Sequence, residues 1–218
     1  MIVITNSFEK KFARFISKRN TDTYAKTKIS ISFFILILFG ALCGIAFFDA
    51  IYHTDSYSAE YASHHFENIF TNCESFSDYF SEILIASKAD IRNLLFIFIS
   101  GFTYFCYPAC GVMIFSKGFL SGFSVFYFVK IFDSLIFPQK PLILSIFILT
   151  KALIGIVAVY LAMYSYIFSY KFREIKSVGS VLRRAPIAYR YFFIFIYSIG
   201  GILLINYIYY FLIYNLIK

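Results

Sequence analysis

Apolar residues run along this chain in long blocks, preceded by one polar segment and interrupted by two more. Five blocks are uncharged or nearly so: 29–48, 93–116, 118–137, 142–170 and 191–217. About 20 apolar residues suffice to carry a helix across a hydrocarbon core about 30 Å thick. Only helices and closed barrels satisfy their backbone in lipid, and blocks this long are helical rather than strand-like. The pattern therefore predicts an all-α, polytopic integral membrane protein with five transmembrane helices. Lys117 alone separates the second and third blocks and predicts a very short turn there. Pro108 falls inside the second block and predicts a kink. The prolines of Pro138-Gln139-Lys140-Pro141 predict a turn between the third and fourth helices.

The polar segments set an orientation. Residues 1–28 hold seven Lys or Arg (Lys10, Lys11, Arg14, Lys18, Arg19, Lys26, Lys28) against Glu9 and Asp22. Residues 171–190 hold six bases against Glu174. Residues 49–92 hold eight acids against Lys88 and Arg92. Basic loops stay on the cytoplasmic side. The N-terminus is thus expected inside and the C-terminus outside, with 49–92 an extracytoplasmic loop and 171–190 a cytoplasmic one. No signal-peptide pattern is read at the start, so 29–48 is expected to remain as an anchor. Phe8, Phe12, Phe15 and Ile16 recur at helical spacing and suit a short helix on an anionic leaflet, or a solvated tail. Phe66, Ile69, Phe70, Cys73, Phe76, Phe80, Ile83 and Leu84 predict an amphipathic helix within the outer loop.

Composition agrees with the blocks. Of 218 residues, 60% are hydrophobic, and the mean hydropathy is +0.74. The net charge of +8 is confined to the flanks of apolar blocks, which speaks for membrane topology and against nucleic-acid binding. Gly40 and Gly44 in the first block, and Gly118 and Gly122 in the third, have the small-xxx-small spacing that lets helix backbones approach. Gly200 and Gly201 lie in the fifth, where Asn206 is expected to hydrogen-bond between helices.

Candidate chemistry is sparse. His64, His65 and Glu67 lack the spacing of a metal-binding helix and read as solvated surface. Cys106 and Cys110, one turn apart with no nearby acid or His, read as small packing residues. Lys151 lies about 15 Å into its helix from Pro141, and an ionisable group at that depth is a functional candidate. The simpler reading has the crossing at 152–170, with Lys151 snorkelling to the outer interface. There is no phosphate-binding loop, nucleophile elbow or zinc-protease motif. An enzyme, a cofactor and a metal are not expected.

The stretch from Asn93 to Gln139 resembles the stage II sporulation protein M family. The resemblance rests on Asn93, Gly101 and Pro108, then SKGFLSGFSVFYF with Gly118-Phe119 and Gly122-Phe123, then Pro138-Gln139. It covers roughly a fifth of the chain, and Lys140 stands where family members often have Asn. The resemblance implies a non-enzymatic membrane protein of the engulfing septal membrane. Such a protein anchors two cell-wall hydrolases, the stage II sporulation D and P proteins, during forespore engulfment. Phe66, Phe70, Phe76 and Phe80 are the expected partner surface, and a homo-oligomer is left open. The alternative is a permease-type transporter subunit, with 171–190 contacting a cytosolic ATPase and Lys151 lining a path.

Overall fold

The structure, a computed structural model, describes residues 3–52, 76–134, 140–176 and 185–217. They form five helices, with no strand among the described residues. These are α1 Val3–Tyr52, α2 Phe76–Ser100, α3 Cys106–Ser134, α4 Lys140–Lys176 and α5 Ala185–Ile217. Four carry stretches long and apolar enough to cross a bilayer: Lys26–Ala50, Cys106–Lys130, Pro141–Arg173 and Pro186–Ile213. In α2, Lys88, Asp90 and Arg92 fall in the middle. The outward faces are apolar: Leu42, Val112, Leu149, Phe193 and Phe211 are all exposed. That is compatible with a membrane protein and unfavourable for one in water.

Several boundaries differ from the sequence expectation. The turn expected at Lys117 is absent, because α3 runs unbroken from Cys106 to Ser134. The chain turns instead at Gly101–Phe105. There the Gly101, Phe102 and Thr103 amides donate to the carbonyls of Phe98, Ile99 and Ser100, three residues back. Pro108 explains the shift. Its ring would collide with the carbonyl of Tyr104 in a continuing helix. As the third residue of α3 it sits in the first turn, where its missing N–H loses no helical bond. Pro108 therefore limits where a helix starts and does not kink one. Gly118 and Gly122 are tolerated mid-helix because α1 packs on them.

The polar segments also shrink. α1 is one continuous helix of 50 residues, so the basic segment is its N-terminal half and not a separate surface helix. No Gly or Pro occurs before Gly40 to interrupt it. α2 begins at Phe76, which reduces the acidic connection to 53–75, outside the described residues. The prolines Pro141 and Pro186 each stand second in their helices, where proline is favoured.

The helices alternate in direction. Gly40 and Gly44 of α1 face the carbonyls of Phe115 and Phe119, while Gly118 and Gly122 of α3 face those of Ile37 and Ala41. The constant offset makes α1 and α3 parallel. Along α2 and α3, Ser100 meets Cys110, Asn93 meets Met113 and Asp90 meets Lys117, so this pair is antiparallel. Tyr107–Tyr166 and Phe128–Phe147 set α3 against α4 antiparallel. Ser165–Tyr191 and Phe147–Tyr209 do the same for α4 and α5. α4 touches all four other helices, with α1 and α3 on one flank and α2 and α5 on the other. Its inner face is built of Gly155, Ala158, Ala162 and Ser165, small enough to sit at the centre. Phe33, Leu94, Ile97 and Ile114 pack around it against its own Ile154 and Leu161.

Candidate functional site

The most unusual group in the bundle is an ion pair. Buried positions on α2 fall at 83, 87, 90, 94, 97 and 100, in steps of four and three. This is the spacing of a helix seam that packs against neighbours. Three polar side chains occupy or border it. Ser87 accepts a hydrogen bond from the Asn206 amide of α5 at 2.8 Å. Asp90 is 9% exposed and pairs with the ammonium of Lys117 on α3, itself 6% exposed. Asn93 reaches the Met113 carbonyl at 3.5 Å. A buried charge is unfavourable unless an opposite charge and hydrogen bonds accompany it. Here the partners come from two different helices, which fixes the register of α2 against α3.

Lys151 of α4 adds a second cation. Its ammonium lies 5.1 Å from the centre of the Phe147 ring, within electrostatic reach of Lys117 and Asp90. It is part-buried, and no carboxylate among the described residues pairs with it. The ring face supplies the compensating negative charge density. Ser121 lies one turn from Lys117, its hydroxyl buried with no hydrogen-bond partner among the described residues. The site therefore holds one carboxylate and two ammonium groups among a few neutral polar side chains in the bundle interior.

A second polar cluster ties down the Gly101–Phe105 turn. The Tyr191 hydroxyl donates to the Phe98 carbonyl at 2.8 Å and lies 2.7 Å from the Ser165 hydroxyl. Its ring stacks on Phe168 at 4.2 Å and on Phe98 at 4.7 Å. A Cβ at Gly101 would strike the Tyr191 hydroxyl, so the glycine is required by that ring. On α4, Ser169 donates to the Thr103 carbonyl at 3.0 Å, and Arg173 donates to the Ser169 hydroxyl at 2.7 Å. Ser100 donates to the Ile97 carbonyl at 2.7 Å, which leaves the Cys110 thiol to donate to Ser100 across 3.0 Å. The Cys106 and Cys110 sulfurs are 3.8 Å apart and fully buried. Tyr191→Phe keeps the stacking and removes only the hydroxyl. It is expected to lower stability by about 1–3 kcal/mol, read as a lower midpoint of thermal unfolding in detergent.

The expected site residues separate into three groups. Gly118 and Gly122 lie at the α1–α3 contact, and Asn93, Gly101 and Pro108 shape the α2–α3 hairpin. Pro138, Gln139, Phe66 and Phe70 lie outside the described residues, as do the side chains of Phe76 and Phe80. Lys151 is in the bundle beside the ion pair. Asp90 and Lys117 were assigned by sequence to a loop and a turn. The four-three spacing of Ile83, Ser87, Asp90, Leu94 and Ile97 is the signal that would have found Asp90. Among the described residues no three of His, Cys, Asp and Glu gather as metal ligands. No protein-family model matches this chain, and no curated protein or solved structure is similar to it.

Proposed function

We propose that the protein is a five-span membrane scaffold, N-terminus inside and C-terminus outside, that anchors cell-wall hydrolases on its outer side. The observation that carries this reading is the use made of its most distinctive residues. Asn93, Gly101, Gly118 and Gly122 all serve helix contacts, as residues of a fixed platform would. The fifth span is α2. Its 25 residues reach about 37 Å at 1.5 Å each, enough to cross. It runs beside α3 and α5, and its buried Asp90 is paired with Lys117. The alternating directions support this orientation. Lys26, Lys28, Lys171, Arg173 and Arg190 gather at one end of the bundle, and Asp49 lies at the other. The basic end is the cytoplasmic one by the positive-inside rule.

The occupants of the platform come from the resemblance of 93–139: the stage II sporulation D and P hydrolases, recruited during engulfment. Replacing Phe76 and Phe80 together by Glu is expected to abolish recovery of a hydrolase in a mild-detergent pull-down from sporulating cells, with membrane insertion unchanged. Undiminished recovery, or absence of the protein from sporulating cells, removes this reading. The permease reading is kept for one observation, the pairing of Asp90 and Lys117 near Lys151 in the bundle interior, since intramembrane charges commonly mark ion and substrate paths. Cross-linking from residues 177–184 to an ATPase, and not from 53–75 to a hydrolase, would favour it.

A further inference from the structure

The outward face of α2 carries two cations in an otherwise apolar surface. Lys88 and Arg92 are exposed, one helical turn apart. Leu84 and Ile85 flank them on one side, and Leu95, Phe96 and Ile99 on the other. Neither has an ion-pair partner among the described residues. Their depth follows from the register. Asp90 lies between them in sequence and meets Lys117. The next residue, Gly118, packs on the carbonyl of Ile37, near the middle of the apolar stretch Lys26–Ala50. At 1.5 Å per residue, Lys88 and Arg92 lie about 3 Å either side of that plane. Headgroups are then about 15 Å away, beyond the reach of a snorkelling side chain. Two cations at that depth are poorly served by lipid.

We propose that this face binds a membrane-spanning helix of a different protein that carries a carboxylate near its middle. The proposal rests on α2 crossing the membrane. Charge and shape both point to this occupant. A carboxylate set between Lys88 and Arg92 meets both cations, and the apolar residues above and below offer ordinary helix packing. A second copy of this chain does not fit. Its other acids within the helices lie away from mid-depth: Asp22 precedes the apolar stretch that starts at Lys26, and Asp49, Asp78, Glu82, Asp133 and Glu174 lie towards helix ends. Asp90, the one acid at mid-depth, is already held by Lys117.

The test uses the full chain in phosphatidylcholine vesicles with a labelled leucine–alanine membrane-spanning peptide bearing one central Asp. Energy transfer between peptide and protein reports association. The Asp peptide is expected to bind at least about tenfold more tightly than peptides with central Asn or Leu. Lys88→Leu with Arg92→Leu should erase that preference while leaving the gel-filtration profile unchanged. Arg92→Glu should bind a peptide with a central Lys instead. Equal binding of the Asp, Asn and Leu peptides, or a preference that survives the double replacement, overturns the proposal. A separate reading checks its premise. An Arg92→Cys variant in which Cys73 is replaced by Ser should, in sealed vesicles, resist a membrane-impermeant maleimide. Rapid labelling means that α2 does not cross, which ends the five-span reading and this proposal together. Slow labelling without peptide preference ends the proposal alone.

Discussion

Lys117→Met alone is expected to lower the stability of the bundle by about 3–5 kcal/mol, and Asp90→Leu alone by a similar amount. The two replacements together should return most of that loss. The reason is an asymmetry between breaking a buried pair and removing it. Either single change strands a full charge in the layer between α2 and α3, where both side chains are almost inaccessible. The surviving charge then has no water and no directly paired counter-ion. Lys151 makes the Asp90→Leu variant worse, since two cations are then left without the carboxylate. The double change leaves apolar side chains of similar volume, a replacement that is often neutral or stabilising in protein interiors. Unfolding by SDS from mixed micelles, followed by far-ultraviolet circular dichroism, measures each arm of this cycle. Single variants within about 1 kcal/mol of the unchanged protein would show that water reaches the pair. The double variant also separates the two functional readings. A scaffold retains partner recovery with the pair removed, and a permease that moves charge past it does not.

The second large effect is expected at the contact between α1 and α3. Gly40, Gly44, Gly118 and Gly122 each lie so close to a carbonyl of the other helix that a Cβ would overlap backbone. Backbone cannot rotate aside as a side-chain tip can. Alanine at Gly44 or Gly122 is expected to cost about 1–3 kcal/mol, the usual range for overpacking, and valine more. Gly200 provides the control. Nothing lies within 4 Å of the Cβ it would carry, so Gly200→Ala should be neutral or stabilise α5 by up to about 1 kcal/mol. Thermal unfolding in one detergent compares all three. A Gly122→Ala variant as stable as Gly200→Ala would mean that α1 and α3 are further apart than described.

Much of this architecture was legible in the residues, and the exceptions are instructive. The all-helical class and four of the apolar stretches follow from block length alone. Asn206 was expected to bond across helices, and it meets Ser87. The two small-xxx-small pairs were visible, but not that they face one another. Only the fold reveals that residues about 80 apart in sequence share a seam. The turn was misplaced because Lys117 was taken as the mark of a helix end. Inside a bundle a lysine can be buried if an acid arrives from elsewhere, and Asp90 does. The same error hid α2. Its charges resembled a loop when weighed by number, whereas among the described side chains only Asp90 enters the seam. Pro108 was read as a kink because proline within an apolar block has two outcomes, and the choice depends on whether a helix already precedes it. The Ser165–Tyr191–Phe98 bridge carried no sequence signal, since none of these residue types is rare in membrane helices.

The separation of α2 from its counter-charge has a consequence for how the chain is made. Asp90 leaves the ribosome 27 residues before Lys117, and at that moment α2 presents Lys88, Asp90 and Arg92 with nothing to neutralise the acid. A segment so charged is a poor candidate to leave the translocon sideways on its own. On the five-span proposal it waits there until α3 emerges and enters the bilayer with it as a closed hairpin. α1, already released, cannot dock until the glycines of α3 arrive to receive it. Synthesis order and docking order thus differ: the first helix made is held in reserve for the third, and on the five-span proposal the second crosses only in company.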